Sequence, residues 1–110
     1  MNYDEIVQKA YKKDWTIEDG GVNQFNGDVE LRYKDSQNRV MSAIIFTTSK
    51  RVDTIVEYFY IDDKKSKMVH TGQLGQTTTI YNTENDMLQM LSIEVDIDGN
   101  VRRVTKNFEN

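Results

Sequence analysis

Glu57 is the carboxylate that the chain sets among apolar neighbours. In the run Ile55 to Ile61 it falls between Ile55 and Phe59 on one face of a predicted strand. If that face is covered, desolvation raises its pKa, and carboxylates perturbed in this way gather at functional sites. The expectation here is a half-covered face with Glu57 at its rim, because an unpaired buried charge is costly. His70 is the only histidine. Acid–base work by an imidazole needs a carboxylate or nucleophile converging on it, and spacing cannot reveal such convergence. His70 is expected on the surface of a strand. Adjacent carboxylates occur at Asp4/Glu5, Glu18/Asp19 and Asp62/Asp63. Neighbours on a strand point to opposite sides, and these pairs lie near predicted element ends, so they read as solvated. Gly20-Gly21 and Gly72-x-x-Gly75 lack the lysine and following helix of a phosphate loop, and read as turns.

Glu94-x-Asp96-x-Asp98-Gly99 resembles the start of an EF-hand calcium loop, with Val101 at its apolar eighth position. It departs where coordination needs it most. The first position is Glu, the ninth is Arg102, and the twelfth is Thr105 in place of the bidentate Glu. The same residues are explained by a hairpin turning at Asp98-Gly99. With no cysteine and a single histidine, disulfides, thiolate zinc sites and histidine-rich metal sites are excluded. No metal or cofactor is expected.

The elements that must position these groups centre on Val40 to Ile61. Two apolar runs, Met41–Phe46 and Ile55–Ile61, flank a polar break at Thr47–Arg51. Both are rich in β-branched and aromatic residues and apolar on both faces, which predicts strands covered on both sides in the middle of a sheet or in a barrel wall. Tyr3, Ile6, Val7, Ala10 and Tyr11 share one face of a helix predicted over residues 3 to 13, with Asn2 as its cap. Its expected role is to pack Tyr3, Ile6, Val7 and Tyr11 on the sheet.

Trp15–Glu18 reads as a short strand broken by Gly20-Gly21, and Asn23–Gly27 as a loop. Asp28–Lys34 alternates with Val29, Leu31 and Tyr33 inward. A four-residue turn at Asp35–Asn38 would set Tyr33 opposite Val40 and Val29 opposite Ile44. Asp62–Lys67 reads as a charged turn, Met68–Thr71 as a strand, Gln73–Gln76 as a mobile connection and Thr77–Tyr81 as β-prone. Thr83–Leu91 fits either a short second helix capped by Thr83 or a strand beginning near Leu88. Beyond it, a loop of Ile97-Asp98-Gly99 with Gly99 left-handed would pair Val95 with Val101 and Glu94 with Arg102.

The chain has 110 residues, enough for one domain spanning 1–110, with 37% hydrophobic and 29% charged residues. A net charge of -4 argues against a direct nucleic-acid binder, whose affinity comes from neutralising phosphates, and suits a basic protein partner. No apolar run approaches the ~20 residues of a membrane span. Asp4 and Glu5 stand where a signal peptide would be basic, so a cytoplasmic protein is expected. Lys, Asn, Asp and Ile are abundant and Pro and Cys absent, a composition that suits an AT-rich bacterium or one of its phages.

The expected fold is α+β: an N-terminal helix packed on a curved antiparallel meander of six to eight strands, open and barrel-like. The expected function is non-enzymatic, a small acidic inhibitor or immunity-type module blocking a larger basic protein. Glu94, Asp96 and Asp98 would recognise it electrostatically, and Tyr58 and Tyr60 through aromatic contact. The alternatives are a carrier or enzyme for a small apolar ligand, with a pocket lined by Tyr58, Tyr60 and Phe46, and a homodimer that hides one sheet face.

Overall fold

The computed structural model describes residues 3–82 and 88–106, with side chains at all of these except 88 and 89. One helix, α1 (Tyr3–Lys12), precedes eight strands: β1 (Thr16–Val22), β2 (Val29–Lys34), β3 (Val40–Phe46), β4 (Val52–Ile61), β5 (Lys64–Gly72), β6 (Gly75–Asn82), β7 (Leu88–Asp96) and β8 (Val101–Lys106). The strands form an antiparallel sheet whose order follows the chain from β1 to β8. Consecutive strands joined by short turns have no other simple way to pair. The expected α+β class and meander are present. Asn2 and residues 83–87 lie outside the described residues, so the helix cap and the first part of the second-helix alternative do too; from Leu88 onward the chain is strand. Two compact units divide the chain, Met1–Val56 and Glu57–Asn110, with the boundary inside β4.

In the first unit α1 packs on β2, β3 and β4. Its buried residues are Ile6 and Ala10, which meet Tyr33, Ile44 and Ile55, with Tyr3 and Trp15 packed alongside. The contact stripe is therefore narrower than the predicted helix face. Val7 is 37% and Tyr11 87% exposed, because they lie on the flank of α1, beside the stripe of Tyr3, Ile6 and Ala10 that meets the sheet. The helix ends in paired bonds, Trp15 N–H to Ala10 O at 2.9 Å and Asp14 N–H to Tyr11 O at 3.3 Å, with Asp14 left-handed at φ 59°. This is a Schellman cap in which Asp stands where Gly is usual. Trp15 seals it, with Lys9 Nζ 5.7 Å from the ring centroid.

β3 and β4 carry consecutive buried residues, Ser42–Ile44 and Thr54–Val56, as two-sided apolar strands should. Ser42 Oγ donates to Val56 O at 3.0 Å, which satisfies a buried hydroxyl. The β2–β3 register differs from the expectation by two residues: Tyr33 faces Ser42 and Val29 faces Phe46. A shift of two preserves the inward face. Its cause is the turn. Asp35 Oδ1 accepts from the amides of Gln37 and Arg39 at 3.0 and 2.9 Å, and Asn38 adopts φ 65°. Gly20-Gly21 does not break β1; a register shift between Asp19 and Gly21 makes a bulge there and the strand continues to Val22.

In the second unit β5 starts at Lys64, and only Asp62-Asp63 form the turn before it. The charged stretch is strand because long lysine stems can lie along apolar surface: Lys65 Nζ sits 4.7 Å from the Tyr58 ring centroid and Lys67 Nζ 4.4 Å from that of Phe59. Gln73-Leu74 is a two-residue turn between the paired residues Gly72 and Gly75, so the connection is shorter than expected and Gly75 and Gln76 belong to β6. Gly75 has φ 149° and pairs with Asp96 so closely that a Cβ would collide with the Val95 carbonyl oxygen. The β7–β8 hairpin turns as expected, with Gly99 at φ 88° and Val95 opposite Val101. Glu94 faces Arg103, not Arg102, since a bulge between Glu94 and Val95 takes up one residue of β8.

Candidate functional site

The second unit has a feature that follows from its registers. Residues paired across antiparallel strands share a face. One face is built from three rows that each cross β5, β6, β7 and β8. The first row is Lys67, Ile80, Leu91 and Lys106; the second is Val69, Thr78, Ile93 and Val104; the third is Thr71, Gln76, Val95 and Val101. Its centre is apolar and its charges are two lysines at one end. Every buried hydrophobic residue among those described lies in Met1–Val56, and none in the second unit. On this face Ile80 is 38%, Val104 49% and Val101 61% exposed. All six residues of β8 are exposed. β8 also ends the strand order, so among the described residues no strand pairs with its outer edge.

The opposite face holds the acidic residues. One of its rows reads His70, Thr77, Glu94 and Arg103. Thr77 separates His70 from Glu94, which at about 4.8 Å per strand puts them two strand spacings apart. His70 is exposed, as expected. Arg103 Nε stands 3.9 Å from Glu94 Oε2, with both side chains substantially exposed. Asp96 shares the face of Glu94, but its Oδ1 accepts from the amides of Asp98 and Asn100 at 3.0 and 2.9 Å. Its carboxylate therefore works in the turn. Asp98 is exposed at the tip. Glu94, Asp96 and Asp98 do not converge, and no cluster of three His, Asp or Glu able to hold a metal occurs among the described residues.

Tyr58 and Tyr60 are half-buried, and Lys65 lies over the Tyr58 ring. Phe46 meets Tyr3 edge-on, ring centroids 5.6 Å apart, and so belongs to the helix-covered face of the first unit. Glu57 is buried at 8% exposure, which corrects the expectation of a rim position. Among the described residues no buried side-chain nitrogen or oxygen lacks a hydrogen-bond partner. Glu57 is therefore not an unpaired charge in the strand interior.

Three pKa shifts have clear causes. A hydrogen bond from Lys34 lowers the Glu18 pKa, against a smaller opposing effect of desolvation, with the charges of Lys34 and Arg32 assisting; the Lys34 Nζ to Glu18 Oε2 distance is 2.7 Å. Burial raises the Tyr33 pKa, with a further contribution from Tyr3. Asp35 is held below its ordinary value even though burial opposes this, because the Arg39 amide and guanidinium and the Gln37 amide all donate to it. All three groups brace strands or turns, and none faces a shared cleft.

Two concavities of the first unit are lined by described residues. One, of about 400 Å³, is polar and includes Asn23, Asn26, Asp28, Glu30 and Asp53; the Glu30 carboxylate there is taken by Arg32 at 2.8 Å. The other, of about 510 Å³, is an open groove along Val29, Leu31 and Phe46, closed at one end by Thr47, Thr48 and Lys50. Neither was legible beforehand, because both depend on the β2–β3 register, which sets Glu30 opposite Ile45 in the first and Val29 opposite Phe46 in the second.

Comparison with known proteins gives no match to any family model, curated protein or solved structure. Among the described residues no helix is long and apolar enough to cross a membrane.

Proposed function

We propose that the chain is a non-enzymatic protein-binding module, a small acidic inhibitor or immunity-type protein acting in the cytoplasm on a larger basic partner. The β7–β8 hairpin is its principal contact. The observation that carries this reading is the exposure of all six residues of β8 on the terminal strand. A sheet face with Val101 and Val104 open to water is short of cover, and the outer edge of β8, with which no strand pairs among the described residues, offers backbone groups to a partner. Glu94 and Asp98 on the same hairpin, with the net charge of -4, would draw a basic partner toward it. Tyr58 and Tyr60 are secondary in this reading, since half-burial leaves them less surface to offer.

The test is affinity capture from the native host, with partners identified by mass spectrometry, using wild-type chain, Val104→Asp and Tyr11→Ala. The reading requires one partner to be captured by wild type and Tyr11→Ala and lost with Val104→Asp. Equal capture by a folded Val104→Asp variant sinks it. Sedimentation equilibrium separates the homodimer alternative: a monomer at high concentration removes it, and a dimer broken by Val104→Asp replaces the proposed partner with a second copy.

A second reading, a carrier of a small apolar ligand, is favoured by the apolar groove beside Val29, Leu31 and Phe46. The barrel-like curvature expected from the sequence belongs to this reading, and small-angle scattering would measure it.

A further inference from the structure

The groove on the first unit has a defined chemistry. Val29 and Leu31 of β2 alternate with residues of the other face, and Val29 stands opposite Phe46 of β3. Farther along the same face lie Tyr33 and Ile44, which are buried under α1. Tyr3, the first residue of α1, touches Phe46 edge-on. The groove is thus the core face continued beyond the end of its helix, with Val29, Leu31 and Phe46 left half-buried. Its volume, about 510 Å³, falls within the range of small-molecule sites.

The charge at its end is of one sign. Of the described residues lining the groove, Lys50 alone is charged. Lys50 is exposed and held left-handed, φ 64°, by a turn in which its amide donates to Thr47 O at 2.9 Å. The turn is fixed by Thr47, whose amide donates to Arg51 O at 2.8 Å and whose hydroxyl meets Ser49 Oγ at 3.0 Å. The adjoining loop is close enough that a Cβ on Gly27 would meet Thr48 Cγ2. An apolar trough ending at a cation on a pinned turn suits a ligand with an apolar body and an anionic head.

We infer that this groove binds a free, monomeric amphiphile with a flexible hydrocarbon chain and one carboxylate, the chain along Val29, Leu31 and Phe46 and the carboxylate at Lys50. This inference rests on the second reading above and gives it a site and a ligand class. It stands apart from the β7–β8 hairpin.

The test is calorimetry with dodecanoate below its aggregation concentration, beside dodecyltrimethylammonium of the same chain length. Amide chemical shifts locate the bound molecule. The expected result is one dodecanoate per chain, with shifts at Val29, Leu31, Phe46 and Thr48, and affinity for dodecanoate over the ammonium by about ten-fold or more. Lys50→Glu should reverse that preference. Val29→Phe, which fills the trough with apolar volume, should abolish both, and Lys13→Glu should change nothing. Three results overturn the inference: no dodecanoate binding, equal affinity for the two heads in wild type, or shifts confined to the second unit. A fourth is attachment to anionic phospholipid vesicles with no binding of monomeric dodecanoate, which would make the groove a membrane contact. The carrier reading fails separately if wild type binds neither amphiphile. If both bind at the groove without head preference, that reading survives and only the carboxylate assignment falls.

Discussion

Gly75 backs directly onto the carbonyl oxygen of Val95, so a Cβ on Gly75 would overlap it and crowd Asp96 Cα at 2.9 Å. Gly75 also holds φ 149°, a conformation that side chains rarely adopt. Gly72, its partner across the same two-residue turn, has open space where its Cβ would stand. Gly75→Ala should therefore destabilise by roughly 1–3 kcal/mol, while Gly72→Ala stays within about 0.5 kcal/mol, the usual range of surface changes. Urea unfolding of the two variants measures the difference. Equal stabilities would mean that β6 does not approach β7 as closely as the structure has it.

The core is concentrated under α1, and its energetics should be concentrated with it. Ile44 is fully buried against Ile6 and Ala10. Ile44→Ala should cost about 2–5 kcal/mol. Tyr11, 87% exposed on the same helix, should cost no more than about 0.5 kcal/mol on replacement by Ala. Periodicity alone placed Tyr11 on the packing face of α1 beside Ile6. Thermal unfolding of the pair distinguishes a helix that packs along Tyr3, Ile6 and Ala10 from one that uses its whole apolar face.

How much was legible follows from what kind of signal each element carried. β3 and β4 were plain because consecutive apolar residues leave no solvent face, and their burial follows. The last hairpin was plain because Asp98-Gly99 specifies a left-handed residue at Gly99. Three other turns do the same work without glycine: Asn38, Lys50 and Asp62 take the left-handed position, the first two closed by Asp35 and Thr47. That substitution hid the register of β2–β3. β5 was hidden by its lysines, whose charge reads as turn while their ammonium groups sit over the rings of Tyr58 and Phe59. Of the candidate binding residues, Glu94 and Asp96 could be placed on a common face from spacing alone. That Asp96 is committed to its own turn could not, since it depends on the orientation of one carboxylate.

Asp35 makes the β2–β3 turn sensitive to acid. Its carboxyl is held below the ordinary value of 3.8, so the folded form is the stronger acid. A depressed folded pKa contributes stability that is present above the unfolded value and lost as pH falls through the folded value. Asp35→Asn should be less stable than wild type at pH 7, and the gap should close below about pH 4. Urea unfolding at neutral and acidic pH checks this. A gap that persists into acid would assign the stabilisation to packing of the turn and not to the carboxylate charge.

The acidic residues of the last hairpin should separate into two kinds. Asp96 accepts two amides of its turn, at 3.0 and 2.9 Å. Hydrogen bonds to a charged acceptor are the stronger sort, and Asp96→Ala should lower stability by about 1–3 kcal/mol. Glu94 is 41% exposed at its side chain and 3.9 Å from Arg103, and Asp98 projects from the tip. Exposed pairs of this kind contribute little to folding, so Glu94→Gln with Asp98→Asn should leave the melting temperature nearly unchanged. Binding should respond in the opposite way. Rim charges act mainly on the rate of encounter and are screened by salt. The double neutralisation should therefore slow association with a captured basic partner and flatten the salt dependence of that rate, leaving dissociation close to wild type. Asp96→Ala, measured where it remains folded, should change association less than the double variant does. Stopped-flow association at two ionic strengths decides the matter. If the double variant associates as fast as wild type at low salt, Glu94 and Asp98 are a solvated strand face, and recognition rests on Val101, Val104 and the open edge of β8.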